Sequence, residues 1–273
     1  MSGEGHAMQP IDTMVSLIIP VYNEEANLPV LFAEILGAMG VQSRPWQVLF
    51  VDDGSTDGSL AIMRNLADTD DHVRYLALAE NSGQSAAFAA GFQYARGNIF
   101  VTLDADLQND PRDIPRMLAA YDDGYDVVAG WRANRKDTLA KRLASRFANS
   151  VRNALSRETV RDTGCSLKIL NAALAKKLPM FTGMHRFLPT LMKLYGARVM
   201  EMSVNHRPRR YGTSKYGIWD RAFSSLHDLL AVRWMQKRHV SCQLAEIRID
   251  ACPAQIHMGG EARIPARAEK RIQ

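Results

Sequence analysis

Asp104-Ala105-Asp106 stands directly after an apolar run at residues 99–103. Alternate residues of an extended chain point the same way, so this spacing can turn two carboxylates toward one hard cation, Mg²⁺ or Mn²⁺. Gln108, two residues further on, extends the same face as a third ligand. A cation held like this keeps open positions that substrate phosphates fill. D-x-D also occurs by chance in surface loops, and its place at a strand end is what gives it weight.

Two further polar clusters follow apolar runs. Pro20-Val21-Tyr22-Asn23-Glu24-Glu25 closes the run at 15–21. Tyr22 could stack on a nucleobase there, and Glu24 or Glu25 could either cap the next helix or bind a nucleotide. Asp52-Asp53-Gly54-Ser55-Thr56-Asp57 closes the run at 47–51. A carboxylate in that position can accept hydrogen bonds from a base or ribose, whereas Ser55 and Asp57 suit a helix cap equally well.

Positioning these clusters requires a regular scaffold. Residues 15–21 (VSLIIPV) form a continuous β-branched run, as in a strand buried on both faces. Residues 24–39 carry Leu28, Leu31, Phe32, Ile35 and Leu36 at helical spacing. Strand 47–51, helix 57–66, strand 73–78, helix 84–95 and strand 98–103 continue the alternation. That order predicts an α/β fold with a mostly parallel sheet flanked by helices. Ligands of such sheets sit at the carboxyl ends of the strands, where all three clusters fall.

Charge divides the 273-residue chain. Residues 1–130 hold 6 Lys+Arg against 19 Asp+Glu, a net of −13, and residues 131–273 hold 28 against 10, a net of +18. The acidic half suits a cation and the basic half suits phosphates or anionic lipid. Residues 136–157 place Leu139, Leu143, Phe147, Val151 and Leu155 four apart among basic residues. Residues 216–238 form a second basic amphipathic helix, with Trp219, Phe223 and Trp234. Both fit a membrane interface, and this aromatic layout favours lipid over nucleic acid. Cys165, Cys242 and Cys252 form no CxxC pair, which predicts a reducing compartment without a disulfide framework. The N-terminal residues lack a secretory pattern, and no apolar stretch approaches a membrane span. The expected organisation is a flexible 1–13, a catalytic domain over 14–215, an interfacial helix over 216–240 and a polar, mobile tail over 241–273.

The stretches SLIIPVYNEEANL, VDDGSTDGS, ENSGQSAAFAAGF and LDADLQNDP, in this order over residues 14–130, resemble the family 2 glycosyltransferases of the nucleotide-sugar-binding (GT-A type) fold. LDADLQ followed by Asp110-Pro111 is similar to the branch represented by dolichol-phosphate mannose synthase and bacterial polyprenyl-phosphate relatives. His206-Arg207-Pro208-Arg209-Arg210-Tyr211-Gly212-Thr213-Ser214-Lys215-Tyr216 resembles that branch's R-x-x-G-x-S-K-Y loop, whose basic residues contact phosphate. Arg132 matches its G-x-R after the fifth strand, and Asp162-Thr163-Gly164-Cys165-Ser166 the segment before the sixth, for which no catalytic role is carried over.

The resemblance implies an inverting transfer from a UDP- or GDP-sugar to a polyprenyl phosphate at the cytoplasmic face of a membrane, by a peripheral protein. It implies Asp104, Asp106 and Gln108 as Mg²⁺ or Mn²⁺ ligands. Pro20, Tyr22, Glu24, Asp52, Asp53, Gln84, Asp104, Ala105 and Asp106 would line the nucleotide sugar. Arg132 would face its pyrophosphate, and Arg207, Arg210 and Lys215 the acceptor phosphate. Family members that glycosylate hydroxyls generally carry a Glu-Asp or similar acidic pair as base, and no Glu-Asp pair occurs here. A phosphate monoester is already largely anionic at neutral pH and can attack without one. The rival readings are transfer to a glycan or lipid hydroxyl, and a non-catalytic scaffold on a membrane surface. The sequence is compatible with a homo-oligomer and leaves the sugar undetermined.

Overall fold

A computed structural model describes residues 13–132, 161–209 and 218–240, with residues 218–226 as backbone only. The proposed helix at 136–157, Arg210, Lys215, the N-terminal segment through residue 12 and the tail from 241 lie outside the described residues. The described residues through His239 belong to one compact unit.

Seven strands form one sheet: β1 (Val15–Val21), β2 (Trp46–Asp52), β3 (Val73–Ala77), β4 (Ile99–Thr102), β5 (Val127–Arg132), β6 (Lys168–Asn171) and β7 (Val199–Val204). The helices are α1 (Leu28–Met39), α2 (Ser59–Thr69), α3 (Gln84–Tyr94), α4 (Ile114–Asp122), α5 (Leu188–Leu194) and α6 (Ile218–Arg238), with short helical turns between. The sheet order is β3-β2-β1-β4-β6-β5-β7. β6 runs antiparallel to both its neighbours, and every other pair is parallel. The mostly parallel α/β sheet expected from the alternation is therefore present.

Strand periodicity assigns the two faces. Leu17, Ile19 and Val21 of β1 pack with Leu28, Leu31 and Ile35 of α1 on one side, while Ile18 packs with Phe88, Phe92 and Phe100 on the other. Full burial of this many apolar side chains supplies the main driving force for folding, at ~1.5–3 kcal/mol each. Gly91 lets α3 lie against β1, since a Cβ there would sit 2.3 Å from Ile18 Cγ2. Ser16 is wholly buried among these groups, but its Oγ accepts from Gln47 Nε2 (2.8 Å) and Gly97 N (2.9 Å).

Differences from expectation are at element ends. The first helix begins at Leu28 rather than residue 24. Asn23 has φ +55°, and Asn27 N and Leu28 N close a turn onto Glu24 O, while Pro29 occupies the helix's first turn. The second begins at Ser59 rather than 57, because Asp57 Oδ1 accepts from Ser59 N at 2.9 Å and stands outside the helix.

Candidate active site at the carboxyl ends of the strands

The β1 and β2 loops lock together. Asn23 N donates to Ser55 Oγ (3.0 Å), Asn23 Oδ1 accepts from Thr56 N (2.7 Å), and Glu24 N donates to Ser59 Oγ (2.9 Å). Asp52 is buried, with both carboxylate oxygens 3.3 Å from Ser55 N. Asp53 Oδ1 accepts from Ser82 N (2.8 Å) and its Oδ2 from Gly83 N (3.0 Å), clamping the loop that leads into α3. Gly54, at φ +69°, admits this approach: a Cβ there would lie 2.6 Å from Asn81 N. Among the residues expected at the nucleotide, Asp53 thus shapes the wall through its hydrogen bonds. Pro20 and Tyr22 sit partly buried at the end of β1.

That loop delivers Gln84, the first residue of α3, to the D-x-D segment: Gln84 Nε2 donates to Asp104 Oδ1 at 2.7 Å. Ala105 packs into the core, leaving Asp104 and Asp106 to flank it. Leu107 adopts φ +62°, a conformation costing a non-glycine residue ~1–2 kcal/mol. The resulting turn lets Asp106 Oδ1 accept from Gln108 N at 3.1 Å. Burial first, and then the charge of Asp106, push the Asp104 carboxyl up to about 6, against hydrogen bonds from Ser166 and Gln84 and the charge of Lys168. Among the described residues, no three His, Cys, Asp or Glu gather into a metal cage. The protein offers two crowded carboxylates with Gln108 beside them, a donor set fit for a hard divalent ion that completes its coordination with substrate oxygens.

Cations surround this pair. Arg132, ending β5, forms a bidentate pair with Asp162 (2.7 and 2.9 Å), and its backbone N donates to the same carboxylate. Burial would lower the Arg132 pKa, but the hydrogen bonds and charge of Asp162 outweigh it and raise it. Lys168 is fully buried in β6, where burial lowers its pKa, and its Nζ donates to Cys165 O. Arg207 was expected at the acceptor phosphate. Here both ends of its guanidinium are engaged, by Glu34 (2.7 Å) and Asp110 (2.5 Å), so it anchors the segment that carries it.

Sequence reasoning passed over three participants. Arg209, whose Nη2 lies 2.7 Å from Asp106 Oδ2, is the first Arg of the R-x-x-G pattern ending at Gly212, and that spacing was the available signal. Lys168 sits within the run LKIL, where a charge in an apolar strand was the cue. His185 had none: Ser85 Oγ, next in sequence to Gln84, accepts from Gly183 N (2.9 Å) and shares a hydrogen bond with His185 Nδ1 (2.9 Å). Burial, with Arg186 and Lys168 nearby, lowers His185 to about 3 and keeps it neutral.

A shallow groove of about 660 Å³ on α1, lined by Ala33, Gly37 and Arg112 among others, brings none of these groups together. The strand ends remain the site.

Residues 16–186 match the profile of Glycosyl transferase family 2, and the chain belongs to that family. An undecaprenyl-phosphate 4-deoxy-4-formamido-L-arabinose transferase of Pectobacterium atrosepticum is 39% identical over 217 residues, covering 79% of this chain and 66% of its own length. A dodecaprenyl-phosphate galacturonate synthase of Rhizobium johnstonii is 38% identical over 234 residues, covering 84% of this chain and 69% of its own length. The chain thus spans about two thirds of these relatives. Among solved structures, glucosyl-3-phosphoglycerate synthase of Mycobacterium tuberculosis in complex with Mn²⁺ and UDP-glucose superposes with TM-score 0.61 at 16% identity, over 81% of this chain and 79% of that one. That likeness establishes the shared fold.

Proposed function

We propose that the chain moves a sugar from a nucleotide diphospho-sugar to a polyprenyl phosphate, with inversion at the anomeric carbon. The observation that carries this reading is the crowded Asp104–Asp106 pair at the end of β4, ringed by Gln84, Arg132 and Arg209. Asp104, Asp106 and Gln108 would hold Mg²⁺ or Mn²⁺, which when bound stabilises charge on the departing nucleoside diphosphate. Tyr22, Glu24 and Asp52 line the wall for a UDP- or GDP-sugar. Arg132, oriented by Asp162, offers a fixed cation to the pyrophosphate. The acceptor phosphate needs no strong base, and Arg210 and Lys215, beyond the Arg207 anchor, would hold it against the anomeric carbon.

Both relatives' names specify a polyprenyl-phosphate product or acceptor, which supports that choice over a hydroxyl. The test is incubation with a panel of UDP- and GDP-sugars, polyprenyl phosphate and Mg²⁺ or Mn²⁺, with mass spectrometry of the extracted lipid. The expected product is a polyprenyl phosphate heavier by one sugar. Glycosylation of a lipid or glycan hydroxyl, with polyprenyl phosphate untouched, would overturn the reading.

A lipid acceptor requires the site to reach a membrane surface, which we place at the cytoplasmic leaflet. No described helix is long and apolar enough to cross a bilayer. α6 instead exposes Leu230 and Trp234 one turn apart, at 52% and 64%, and ends in Lys237-Arg238. Liposome flotation should show binding that rises with anionic lipid and falls with salt. Leu230→Ser with Trp234→Ser should weaken it several-fold. Equal recovery in the soluble fraction at every lipid composition would remove the membrane-surface assignment.

A further inference from the structure

The two arginines flanking Pro208 are held differently. Asn109 and His206 form an antiparallel bridge, and Arg207 N donates to Gln108 O at 2.8 Å. With its guanidinium spanning Glu34 and Asp110, Arg207 is rooted from both backbone and side chain. Arg209 is tied through its side chain: its guanidinium reaches across to Asp106 Oδ2 at 2.7 Å and lies 3.9 Å from Glu24 Oε1.

Asp106 has two oxygens to give. Oδ1 accepts from Gln108 N and closes the tight turn at Leu107, while Oδ2 carries Arg209. A divalent ion shared by Asp104 and Asp106 needs an Asp106 oxygen, and a guanidinium on that carboxylate competes for it by charge and by volume.

We propose that Arg209 is a resident counter-cation of Asp106 that an arriving divalent ion displaces, so that loading the metal site and freeing this arginine are one event. The proposal rests on the reading of Asp104 and Asp106 as metal ligands. Arg207 stays as the pivot, and the released Arg209 guanidinium becomes available to meet a phosphate. Before metal binds, the same contact neutralises part of the carboxylate pair.

The experiment is Mn²⁺ titration of the full chain without nucleotide, read by electron paramagnetic resonance. The proteins are wild type, Arg209→Gln, Arg209→Lys and, as control, Asp104→Asn. Arg209→Gln should bind Mn²⁺ five- to twentyfold more tightly than wild type, with Arg209→Lys between them. Unchanged or weaker affinity in Arg209→Gln overturns the proposal while leaving the metal site standing. Failure of wild type and Arg209→Gln alike to bind Mn²⁺ overturns the metal reading and the proposal together. A second readout uses wild type alone: Mn²⁺ should increase phenylglyoxal labelling at Arg209, and not at Arg207, by peptide mass spectrometry. Labelling of Arg209 that ignores Mn²⁺ also overturns it.

Discussion

Asp104→Asn and Asp106→Asn should each reduce sugar transfer by on the order of a thousandfold or more, because each would remove a charge from the proposed cation site, whose ion would stabilise the leaving group by several kcal/mol. Their effects on stability should differ. Asp104 sits where burial and the Asp106 charge oppose its ionisation, so a neutral amide relieves repulsion and can still accept from Gln84 Nε2. Asp104→Asn should therefore melt at or above the wild-type temperature in metal-free buffer. Asp106→Asn gives up the ion pair with Arg209 and should melt no higher than wild type. Turnover assays with Mn²⁺ and thermal melting with EDTA check both parts. Near-normal turnover in either variant, with metal still required, would sink the assignment of this pair.

The sequence exposed those two aspartates because their signal is local: an apolar strand, then alternating carboxylates. The same holds for the strand-helix alternation through residue 103, where each element declares itself by its own periodicity. Element ends were less legible, since the start of α1 is decided by groups distant in sequence, the Ser55 and Ser59 hydroxyls and the Thr56 N–H, holding Asn23 and Glu24 in a turn. The reversal of β6 could not be read at all. Its pairing with β4 and β5 is antiparallel and joins residues about seventy and forty positions apart, and nothing within LKIL encodes a partner's direction. Lys168 is buried there by that pairing.

The basic segment teaches the same point at finer scale. RPRR shows that phosphates or carboxylates are to be met, but which arginine meets which acid depends on the register of His206 against Asn109. That bridge puts Arg207 on Asp110 and Glu34, and Arg209 on Asp106. The family motif names residue types, and the long-range register decides which acid Arg207 and Arg209 each meet. Asp162 is the clearest case. Its role appears once β5 brings Arg132 alongside, thirty residues away in sequence.

That pair yields the second large effect. The side chains of Arg132 and Asp162 are only 14% and 13% exposed, and they share two side-chain hydrogen bonds. Removing one partner strands the other charge in a poorly solvated place, which costs ~3–5 kcal/mol in buried pairs. Asp162→Asn should be the worse single change, since it leaves Arg132 near the buried Lys168 without its counter-charge. Arg132→Gln instead strands Asp162, whose Oδ1 retains the hydrogen bond from Gly164 N. In the double variant both charges vanish, so urea unfolding should recover most of the lost stability, a strong departure from additivity that marks a coupled pair. Catalysis should not follow. If Arg132 faces the donor pyrophosphate, transfer falls roughly a hundredfold or more in each single variant, through loss of the cation in Arg132→Gln and of its orientation in Asp162→Asn, and stays low in the double, where the cation is missing whatever the fold regains. Recovery of turnover together with stability would make Arg132 a structural partner of Asp162 and take it out of the donor site.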